Sequence, residues 1–390
     1  MEKIAIIGTG QVPAERRTQR TLQSQAVDSA QQAISDAGIK KDEIDAVFLA
    51  HCFADQRFNS DLVFSLMVEE LGLSNKAKFN VNIHSGGSSG ENMLKMAEGL
   101  INSGTAETIL CIHSEKFSLM SIPEQIEAFA SFGISAEWES YTGMVYNTIA
   151  GLMAERFMYE TGTTPEQIAS VCVSLRKWAQ MNENALYRKP LTVEEVLNSR
   201  MIATPLHMYE CNVLCDGSSS FVVTSAERAK KKAEKPVYLL SHASTVTHYS
   251  LAQSLDITGF AYAKAGKEAF ETVGIELKDI DLASIRACYP HDALIVLEGI
   301  GLCERGKAGA FVESGETQPG GSLPLGTDGG ALSRGHTGSG VGIDQIVETY
   351  VQLSGKAGER QIENCSFAVL SGLGGTYMDS HVMIFGREVP

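Results

Sequence analysis

The residues best suited to chemistry lie in a glycine-rich stretch at residues 329–340, which reads GGALSRGHTGSG. Its single histidine, His336, stands between Gly335 and Gly338 and precedes apolar residues spaced as in a helix. Glycine lets a backbone approach a ligand closely, and an imidazole N–H can stabilise a carbonyl oxygen that gains negative charge. The stretch therefore predicts an oxyanion-binding histidine. The alternative is a glycine-rich connection with an incidental surface histidine.

A second loop, residues 84–90 (HSGGSSG), joins a predicted strand to a predicted helix. Ser85, Ser88 and the amide of Gly87 would lie at the N-terminus of that helix, where partial positive charge stabilises an oxyanion. A nucleophile in this loop would be Ser85, Ser88 or Ser89. A serine nucleophile needs a base, and His84 is nearby in the sequence. Because serine is also a preferred helix cap, the loop offers either a nucleophile or caps.

Tyr289 and His291 follow a predicted strand at residues 283–288. Active sites of α/β proteins are built at strand ends, so both side chains are candidate proton donors or acceptors. A surface histidine without a catalytic role is the alternative for His291.

The C-terminal segment at residues 367–377 has the pattern of a buried strand followed by a glycine-rich turn. We expect the amides of Gly372 and Gly374 to form an anion-binding nest in that turn, with Tyr377 as a candidate acid or base. A plain hairpin turn before a last strand at residues 381–385 is the alternative.

Alternating strand and helix patterns predict an α/β protein with two similar halves. Residues 34–45 and 270–281 share the order helix end, glycine cap, acidic turn and strand start, which indicates a duplicated unit. We place the first half at residues 1–235, with an inserted helical and loop layer at about 115–200, and the second half at residues 236–390.

The chain opens with an apolar, β-branched run at residues 4–7 that ends in Gly8-Thr9-Gly10. We expect a short buried strand and a tight turn there. The pattern does not favour a nucleotide site, because the third glycine is missing and Pro13 interrupts the turn.

The composition argues against several classes of protein. The 390 residues carry a formal net charge of −15, which argues against a surface that binds nucleic acid or an anionic membrane. The eight cysteines are scattered without a CxxC pair, so we expect reduced thiols in a cytoplasmic protein and no metal site. The N-terminus enters a strand pattern directly, and no apolar run is long enough to span a membrane.

Four segments add a family signature to these features. They are 320–336 (GGSLPLGTDGGALSRGH), 352–361 (QLSGKAGERQ), 199–206 (SRMIATPL) and 215–217 (CDG). The repeat, the loop near residue 85, His291, the His336 stretch and the terminal glycine turn occur in the order typical of the thiolase superfamily. With these segments, the chain resembles that superfamily, most closely its sterol-carrier-type and lipid-transfer-like branch. The resemblance implies a thiolase-like homodimer of five-layered αβαβα subunits. It also implies an acyl-CoA thioester as substrate and no permanently bound cofactor.

The resemblance also assigns roles to individual residues. His336 matches the family's GHP histidine, which helps bind the thioester oxygen, and His291 matches the histidine of its HD motif. In the family the inserted layer covers the CoA, so basic residues of this layer are candidate contacts for the CoA phosphates. These residues are Arg176, Lys177, Arg188 and Lys189.

The family's two catalytic cysteines are missing from the matching positions. The nucleophile falls at Ser85 or Gly87, depending on the alignment, and the acid/base cysteine falls at Ser371 or Ala293. A serine hydroxyl is hardly ionised at neutral pH, so serine is a poor replacement unless a base activates it.

Three functions remain open. The first is the formation or cleavage of a carbon–carbon bond next to an acyl-CoA thioester, through an enolate bound by His336. Retro-aldol cleavage fits this function, with His291, Tyr289 or Tyr377 as acid or base, and some such relatives work with a small OB-fold partner that carries a zinc ribbon. The second is acyl transfer by Ser85 or a neighbouring serine. The third is a non-catalytic acyl-CoA-binding or assembly subunit.

Overall fold

The computed structural model describes residues 2–50, 53, 63–131, 133–259, 262–375, 377 and 379–389. Within these ranges the strands are β1 (Ile4–Glu15), β2 (Ala46–Ala50), β3 (Phe79–Ile83), β4 (Thr108–Glu115), β5 (Met201–Ala203), β6 (Leu206–His207), β7 (Asp216–Ser225), β8 (Val237–Val246), β9 (Leu282–Ile285), β10 (Phe367–Gly374) and β11 (Asp379–Gly386). The helices are α1 (Leu22–Asp36), α2 (Val63–Glu70), α3 (Ser89–Asn102), α4 (Ile122–Ala130), α5 (Tyr146–Thr161), α6 (Pro165–Gln180), α7 (Val193–Leu197), α8 (Ala226–Lys232), α9 (Tyr262–Val273), α10 (Pro290–Ile300), α11 (Ala308–Glu313), α12 (Gly330–Ser333) and α13 (Val341–Leu353). In this part of the chain, no helix combines the length and the apolar character needed to cross a membrane.

Nine of the strands form one mixed sheet in the order β3-β2-β4-β7-β1-β8-β11-β10-β9. The pairs β2–β3, β2–β4 and β9–β10 are parallel, and the other neighbouring pairs are antiparallel. The two halves of the sheet join where β1 pairs with β8. Ala5 lies opposite Tyr238, and Ile6 lies opposite Val237. Strands β5 and β6 form a separate hairpin.

The expected internal repeat is present in both halves. Helix α1 ends before Gly38 and α9 ends before Gly274, and both glycines have positive φ, at 63° and 71°. A short 3₁₀ turn then leads into β2 or β9. Asp45 accepts hydrogen bonds from amides at the start of β4 (2.9 and 3.2 Å), and Asp281 does the same at the start of β10 (2.7 and 3.0 Å). Each half thus has an aspartate at the equivalent position, which joins two neighbouring parallel strands.

Helices α3 and α13 form a central layer between the two halves of the sheet. They pack against each other; α3 contacts β4 and β7, while α13 contacts β1 and β7 on one side and β9 and β10 on the other. Met93 and Leu94 of α3 and Ile343 and Ile346 of α13 are fully buried there. Helix α1 covers the outer face of the first half and α9 that of the second. The expected five-layered αβαβα arrangement follows from these contacts.

Strand β1 is longer than the short strand predicted at residues 4–7, and it continues where the tight turn is predicted. Gly8 and Gly10 lie inside the strand. A Cβ on Gly8 would lie 2.3 Å from the amide nitrogen of Ala37, and one on Gly10 would lie 2.0 Å from the carbonyl oxygen of Ser29. The two glycines therefore mark a close contact with α1 rather than a turn.

The segment between β4 and β7 contains helices α4 to α7 and the β5–β6 hairpin. This segment corresponds to the predicted helical and loop layer, and α5 and α6, each of 16 residues, are its long helices. Helix α6 packs against α10, α11 and α12, with Leu175 and Trp178 buried. Because α12 directly precedes the segment with His336, this packing brings the helical layer close to that histidine.

Candidate active site

A cavity of about 530 Å³ lies where four segments meet: the loop after β3, the end of β9, the end of β10 and the stretch between α12 and α13. Helices α4 and α5 close it with mainly apolar side chains. Five of the predicted site residues line the cavity: His336, Tyr289, Tyr377, Gly87 and Gly338. Six others stand outside the lining: Ser85, Ser88, His291, Gly335, Gly372 and Gly374. An apolar cavity with a few convergent polar groups is the usual form of a small-molecule site.

The backbone of His336 is fixed on both sides. Its amide donates a hydrogen bond to the carbonyl oxygen of Val213 (2.9 Å), and its carbonyl accepts one from the amide of Cys215 (3.1 Å). Gly335 and Gly338 flank it with φ of 117° and 64°, which side chains rarely tolerate. The glycines let the chain fold back around the histidine and direct its ring to the cavity.

The His336 ring is a neutral hydrogen-bond donor. Its Nδ1 accepts a hydrogen bond from the amide of Gly338 (3.1 Å), so the ring proton is on Nε2 and remains available to a ligand. Burial, with a smaller effect from the charge of Arg286, lowers the pKa of His336 to about 3. Phe129 packs edge-on against the ring, with 5.3 Å between ring centroids. A neutral, fixed N–H group of this kind can stabilise a developing oxyanion.

The loop before α3 presents backbone to the cavity, while its serines hold the loop in shape. Gly87 lines the cavity, but Ser88 is fully buried, with its Oγ 2.6 Å from Oδ2 of Asp379. The amide of Ser85 donates a hydrogen bond to Oγ of Ser89 (3.2 Å). Ser88 is the N-cap residue of α3, but its side chain makes no capping hydrogen bond, so the expected cap is not formed. The hydroxyls of Ser88 and Ser89 instead donate to Asp379 and to the carbonyl oxygen of Gly86, which holds the loop in shape.

His291 lies in the first turn of α10, fully buried and outside the cavity lining. Neither ring nitrogen has a hydrogen-bond partner among the described residues. Burial lowers its pKa to about 3. Because the helix begins at Pro290, the turn directs this histidine into the core, outside the lining of the cavity.

Two tyrosines contribute hydroxyls close to the cavity. Oη of Tyr289 donates a hydrogen bond to Oδ1 of Asn147 (2.6 Å), and Oη of Tyr377 donates one to Oδ1 of Asp292 (2.9 Å). Burial raises the pKa of both phenols well above the ordinary value. Burial also raises the pKa of Asp292, to about 7. The tyrosines are therefore proton donors at neutral pH, and Asp292 lies near its titration midpoint.

The glycine-rich turn lies later than predicted. Strand β10 extends through Gly372 to Gly374, because it pairs with β11 along its whole length. The positive φ values fall at Gly375 (58°) and Tyr377 (63°). A Cβ on Gly372 would lie 2.1 Å from Oε1 of Glu91, so this glycine makes room for a buried carboxyl group. The expected anion-binding nest is therefore not formed by Gly372 and Gly374.

Arg286 and Cys288 line the cavity, although no sequence motif singles them out. Arg286 follows β9 and is 2% exposed. Its Nη1 donates a hydrogen bond to the carbonyl oxygen of Gly87 (2.6 Å), and Nη2 donates one to that of Leu373. Burial raises the pKa of the Cys288 thiol to about 12. The sequence does contain one signal for Arg286. It is the only charged residue in the mainly apolar segment 282–288, and a charged residue is unusual in a buried segment.

None of the four basic residues predicted to contact the CoA lines the cavity. Arg176 is buried, and its Nε donates a hydrogen bond to Oγ of Ser333 (2.9 Å) while its Nη1 donates one to the carbonyl oxygen of Lys189 (3.0 Å). Lys177 contacts Gln318, and Arg188 lines a separate surface concavity. Arg176 thus supports the fold of the helical layer.

Two other arginines line the open side of the cavity. They are Arg16 and Arg200, and both are exposed. Arg16 lies just after β1, and Arg200 lies just before β5. Local motifs do not identify this pair, because the two residues are brought together only by the packing of the helical layer on the first half.

The comparisons with known proteins agree with the fold. The thiolase C-terminal domain-like family model matches residues 243–387. An acetyl-CoA acetyltransferase of Methanothermobacter thermautotrophicus is 30% identical over 388 residues, covering 99% of this chain and 100% of that protein. A steroid side-chain-cleaving aldolase of Thermomonospora curvata is 28% identical over 361 residues, covering 88% of this chain and 89% of that protein.

Two further similarities fix the branch and the fold. Sterol carrier protein 2 of Oryctolagus cuniculus is 26% identical over 395 residues, covering 96% of this chain and 70% of that protein. A solved Ltp2–ChsH2(DUF35) aldolase has the same fold, with a TM-score of 0.84 at 24% identity over 98% of this chain and 97% of that chain. The chain therefore belongs to the thiolase superfamily, in its sterol-carrier-type branch.

Proposed function

We propose that this protein is an enzyme that makes or breaks a carbon–carbon bond next to an acyl-CoA thioester, through an enolate and without a covalent acyl-enzyme. The observation that carries the proposal is the hydrogen bonding of the His336 ring, which determines where its proton lies. Its Nδ1 is occupied by the amide of Gly338 (3.1 Å), so its Nε2–H is available to the thioester oxygen. The facing loop offers glycine instead of a nucleophilic side chain at position 87.

In the cleavage direction the substrate is a β-hydroxyacyl-CoA. A base takes the hydroxyl proton, the Cα–Cβ bond breaks, and a carbonyl product leaves. The bonding electron pair passes into the thioester as an enolate, and Cα then takes a proton to give a shorter acyl-CoA. These reaction steps balance without an oxidant or reductant. The hydrogen bond from His336 strengthens as charge develops on the thioester oxygen, which is the requirement for lowering the barrier.

The tyrosines are the candidates for proton transfer in this reaction. Tyr289 and Tyr377 line the cavity, and both hydroxyls are held by hydrogen bonds. Tyr377 is paired with Asp292, whose pKa burial raises to about 7. A carboxyl with a pKa near neutrality can take and return a proton, so the Tyr377–Asp292 pair suits the exchange with the β-oxygen.

The CoA would enter as substrate, with no permanently bound cofactor. We propose that its phosphates lie near Arg16 and Arg200 at the open side of the cavity. Following the family resemblance, we also propose a homodimer that works with a small OB-fold partner carrying a zinc ribbon. The two-component name of the similar solved Ltp2–ChsH2(DUF35) aldolase supports a partner subunit.

The test is to incubate the protein, alone and with a co-expressed partner, with β-hydroxyacyl-CoA thioesters of several chain lengths. Mass spectrometry then measures the small products and the intact protein. We expect a carbonyl product and a shorter acyl-CoA, with no mass added to the protein. The Ser85→Ala variant should keep its kcat/KM within about threefold.

Two outcomes would contradict the proposal. A stable acyl adduct on Ser85, Ser88 or Ser89 would identify a serine-dependent acyltransferase. Binding of the thioesters without any product, even with the partner present, would identify a non-catalytic subunit.

A further inference from the structure

Arg286 places a buried cation at the cavity wall. Its guanidinium contacts two backbone carbonyls, those of Gly87 and Leu373. Its Nε has no hydrogen-bond partner among the described residues. A guanidinium has five N–H donors, so these two contacts leave three without a hydrogen-bond partner among the described residues. Arg286 lines the cavity, where a ligand could accept from the Nη groups.

The charge of Arg286 lacks a close counter-ion. No carboxylate in the part of the chain that the structure describes lies within 4.0 Å of its nitrogens. Its charge does act on Glu91 and Asp292, but burial is the larger influence and raises the pKa of both, favouring their neutral forms. The carboxyl oxygens of Glu91 also lack hydrogen-bond partners among the described residues. A buried cation without a paired anion is costly, and a complementary charge on a ligand would offset that cost.

The guanidinium also fills the space next to Gly87. A Cβ added at Gly87 would lie 2.5 Å from Nη1 of Arg286 and 2.8 Å from the carbonyl oxygen of Leu373. A side chain at this position would therefore collide with the arginine. Under one alignment, position 87 is where the family places its nucleophile. Here the space for that side chain is filled by the guanidinium of Arg286, so the arginine at 286 is compatible only with a glycine at 87.

We propose that Arg286 forms an anion-binding site in the cavity, which takes an anionic oxygen of the acyl group next to His336. That oxygen belongs either to a permanent carboxylate on the acyl chain or to the thioester enolate. The second source rests on the proposed function, whereas the first does not. Hydrogen bonds between a guanidinium and an anionic oxygen are charge-assisted, and the low dielectric of the cavity strengthens them.

The test uses two four-carbon thioesters, butyryl-CoA and succinyl-CoA, which differ by a terminal carboxylate. Calorimetry measures their affinities for the wild-type protein, Arg286→Met and Arg286→Lys. Deuterium uptake at Cα of butyryl-CoA in D₂O measures enolate formation. Because Arg286 also contacts two carbonyls, the informative quantity is the affinity ratio within each variant, which a general loss of packing leaves unchanged. Arg286→Lys keeps the charge and serves as the second variant if Arg286→Met does not fold.

The two sources give different results. For a permanent carboxylate, wild type binds succinyl-CoA at least about tenfold more tightly than butyryl-CoA, Arg286→Met loses this preference and Arg286→Lys keeps part of it. For the enolate, wild type shows no such preference, and Arg286→Met slows deuterium uptake about 100-fold with butyryl-CoA affinity nearly unchanged. If the wild-type protein shows no deuterium uptake, the proposed function is contradicted. The ratio of the succinyl-CoA and butyryl-CoA affinities then decides alone whether Arg286 binds an anion. A protein with neither the preference nor an Arg286-dependent uptake would overturn the inference.

Discussion

Burial sets the protonation of the side chains around the cavity. It lowers the pKa of His336 to about 3 and raises that of Asp292 to about 7. It also keeps Tyr377 protonated and raises the pKa of the Cys288 thiol to about 12. At neutral pH the cavity therefore combines neutral hydrogen-bond donors with the cation of Arg286. That combination suits the anion that forms in the proposed reaction, and it does not supply a thiolate nucleophile.

The raised pKa of Asp292 predicts a specific dependence of stability on pH. The folded-state pKa of about 7 lies above the ordinary value of 3.8, so the stability contributed by the protonated carboxyl is complete below about pH 4 and is lost as the pH rises towards 7. Asp292→Asn mimics the protonated form and does not titrate. The free energy of unfolding of this variant, relative to wild type, should therefore rise by up to about 4 kcal/mol between pH 4 and pH 8.

Urea denaturation at several pH values measures this difference. Because the variant and wild type share every other titrating group, the buried histidines cancel in the comparison. A difference that stays constant across the pH range would show that Asp292 titrates at its ordinary pKa in the folded protein.

At the scale of elements, glycines set how closely the layers approach. Gly10 lies in β1 under α1, and a Cβ there would lie 2.0 Å from the carbonyl oxygen of Ser29. Gly99 lies in α3, and a Cβ there would meet nothing within 4 Å. The same chemical change should therefore have opposite effects at the two positions.

Gly10→Ala should lower the free energy of unfolding by about 3 kcal/mol, because α1 must move away from β1. Gly99→Ala should raise it by about 0.5–1 kcal/mol, because alanine favours a helix interior. Chemical denaturation of both variants checks the pair. Equal effects at the two positions would show that α1 does not pack on β1 as closely as described.

Local patterns in the sequence identify much of the fold but only part of the site. The helix ends, the repeated Asp45 and Asp281 and the segment around His336 depend on neighbouring residues, so they can be predicted. The direction of a side chain after a strand depends on tertiary packing. Arg286 and Gly87 are 199 residues apart, and no local pattern links them. His291 points into the core because α10 begins one residue earlier, at Pro290.

The extent of strands is also decided by distant partners. Gly372 and Gly374 have the composition of a turn, yet β11 pairs with them and extends β10 through both. Similarly, Gly8 and Gly10 continue β1 because β7 pairs with that part of the strand. The local sequence sets the backbone conformation of a glycine only weakly, so pairing with the neighbouring strand determines that conformation.

At the scale of the whole molecule, the site depends on both halves of the sheet. Gly87 comes from the first half, while Arg286, His336 and Tyr377 come from the second. The central helices α3 and α13 hold the two halves together, and each begins close to one of the site loops. Duplication of an α/β unit thus creates a cavity that neither half contains alone.

The acidic chain also predicts how the anionic CoA is bound. The net charge of −15 repels CoA at long range, so the exposed pair Arg16 and Arg200 should provide local attraction. Arg16→Ala and Arg200→Ala should each raise KM for an acyl-CoA about tenfold and leave kcat within about twofold. The Arg188→Ala variant is the matched control, because Arg188 lines a different concavity.

Steady-state kinetics at two salt concentrations measures how far this effect is electrostatic, and the Arg188→Ala control separates it from a general loss of charge. The effect of the Arg16 and Arg200 variants should shrink at high salt, because screening weakens the wild-type attraction. An equal rise in KM for Arg188→Ala would show that the pair does not contact the phosphates.

The most direct test of the central claim is the exchange of the Cα hydrogens of an acyl-CoA in D₂O, because it reports enolate formation without requiring the second substrate. Wild type, His336→Ala and Ser85→Ala are incubated with butyryl-CoA, and mass spectrometry counts the deuterium. We predict exchange by wild type and Ser85→Ala, and a loss of about 100-fold in His336→Ala with little change in affinity. Wild-type protein that binds butyryl-CoA without exchange, or His336→Ala protein that exchanges at the wild-type rate, would contradict an enolate held by His336.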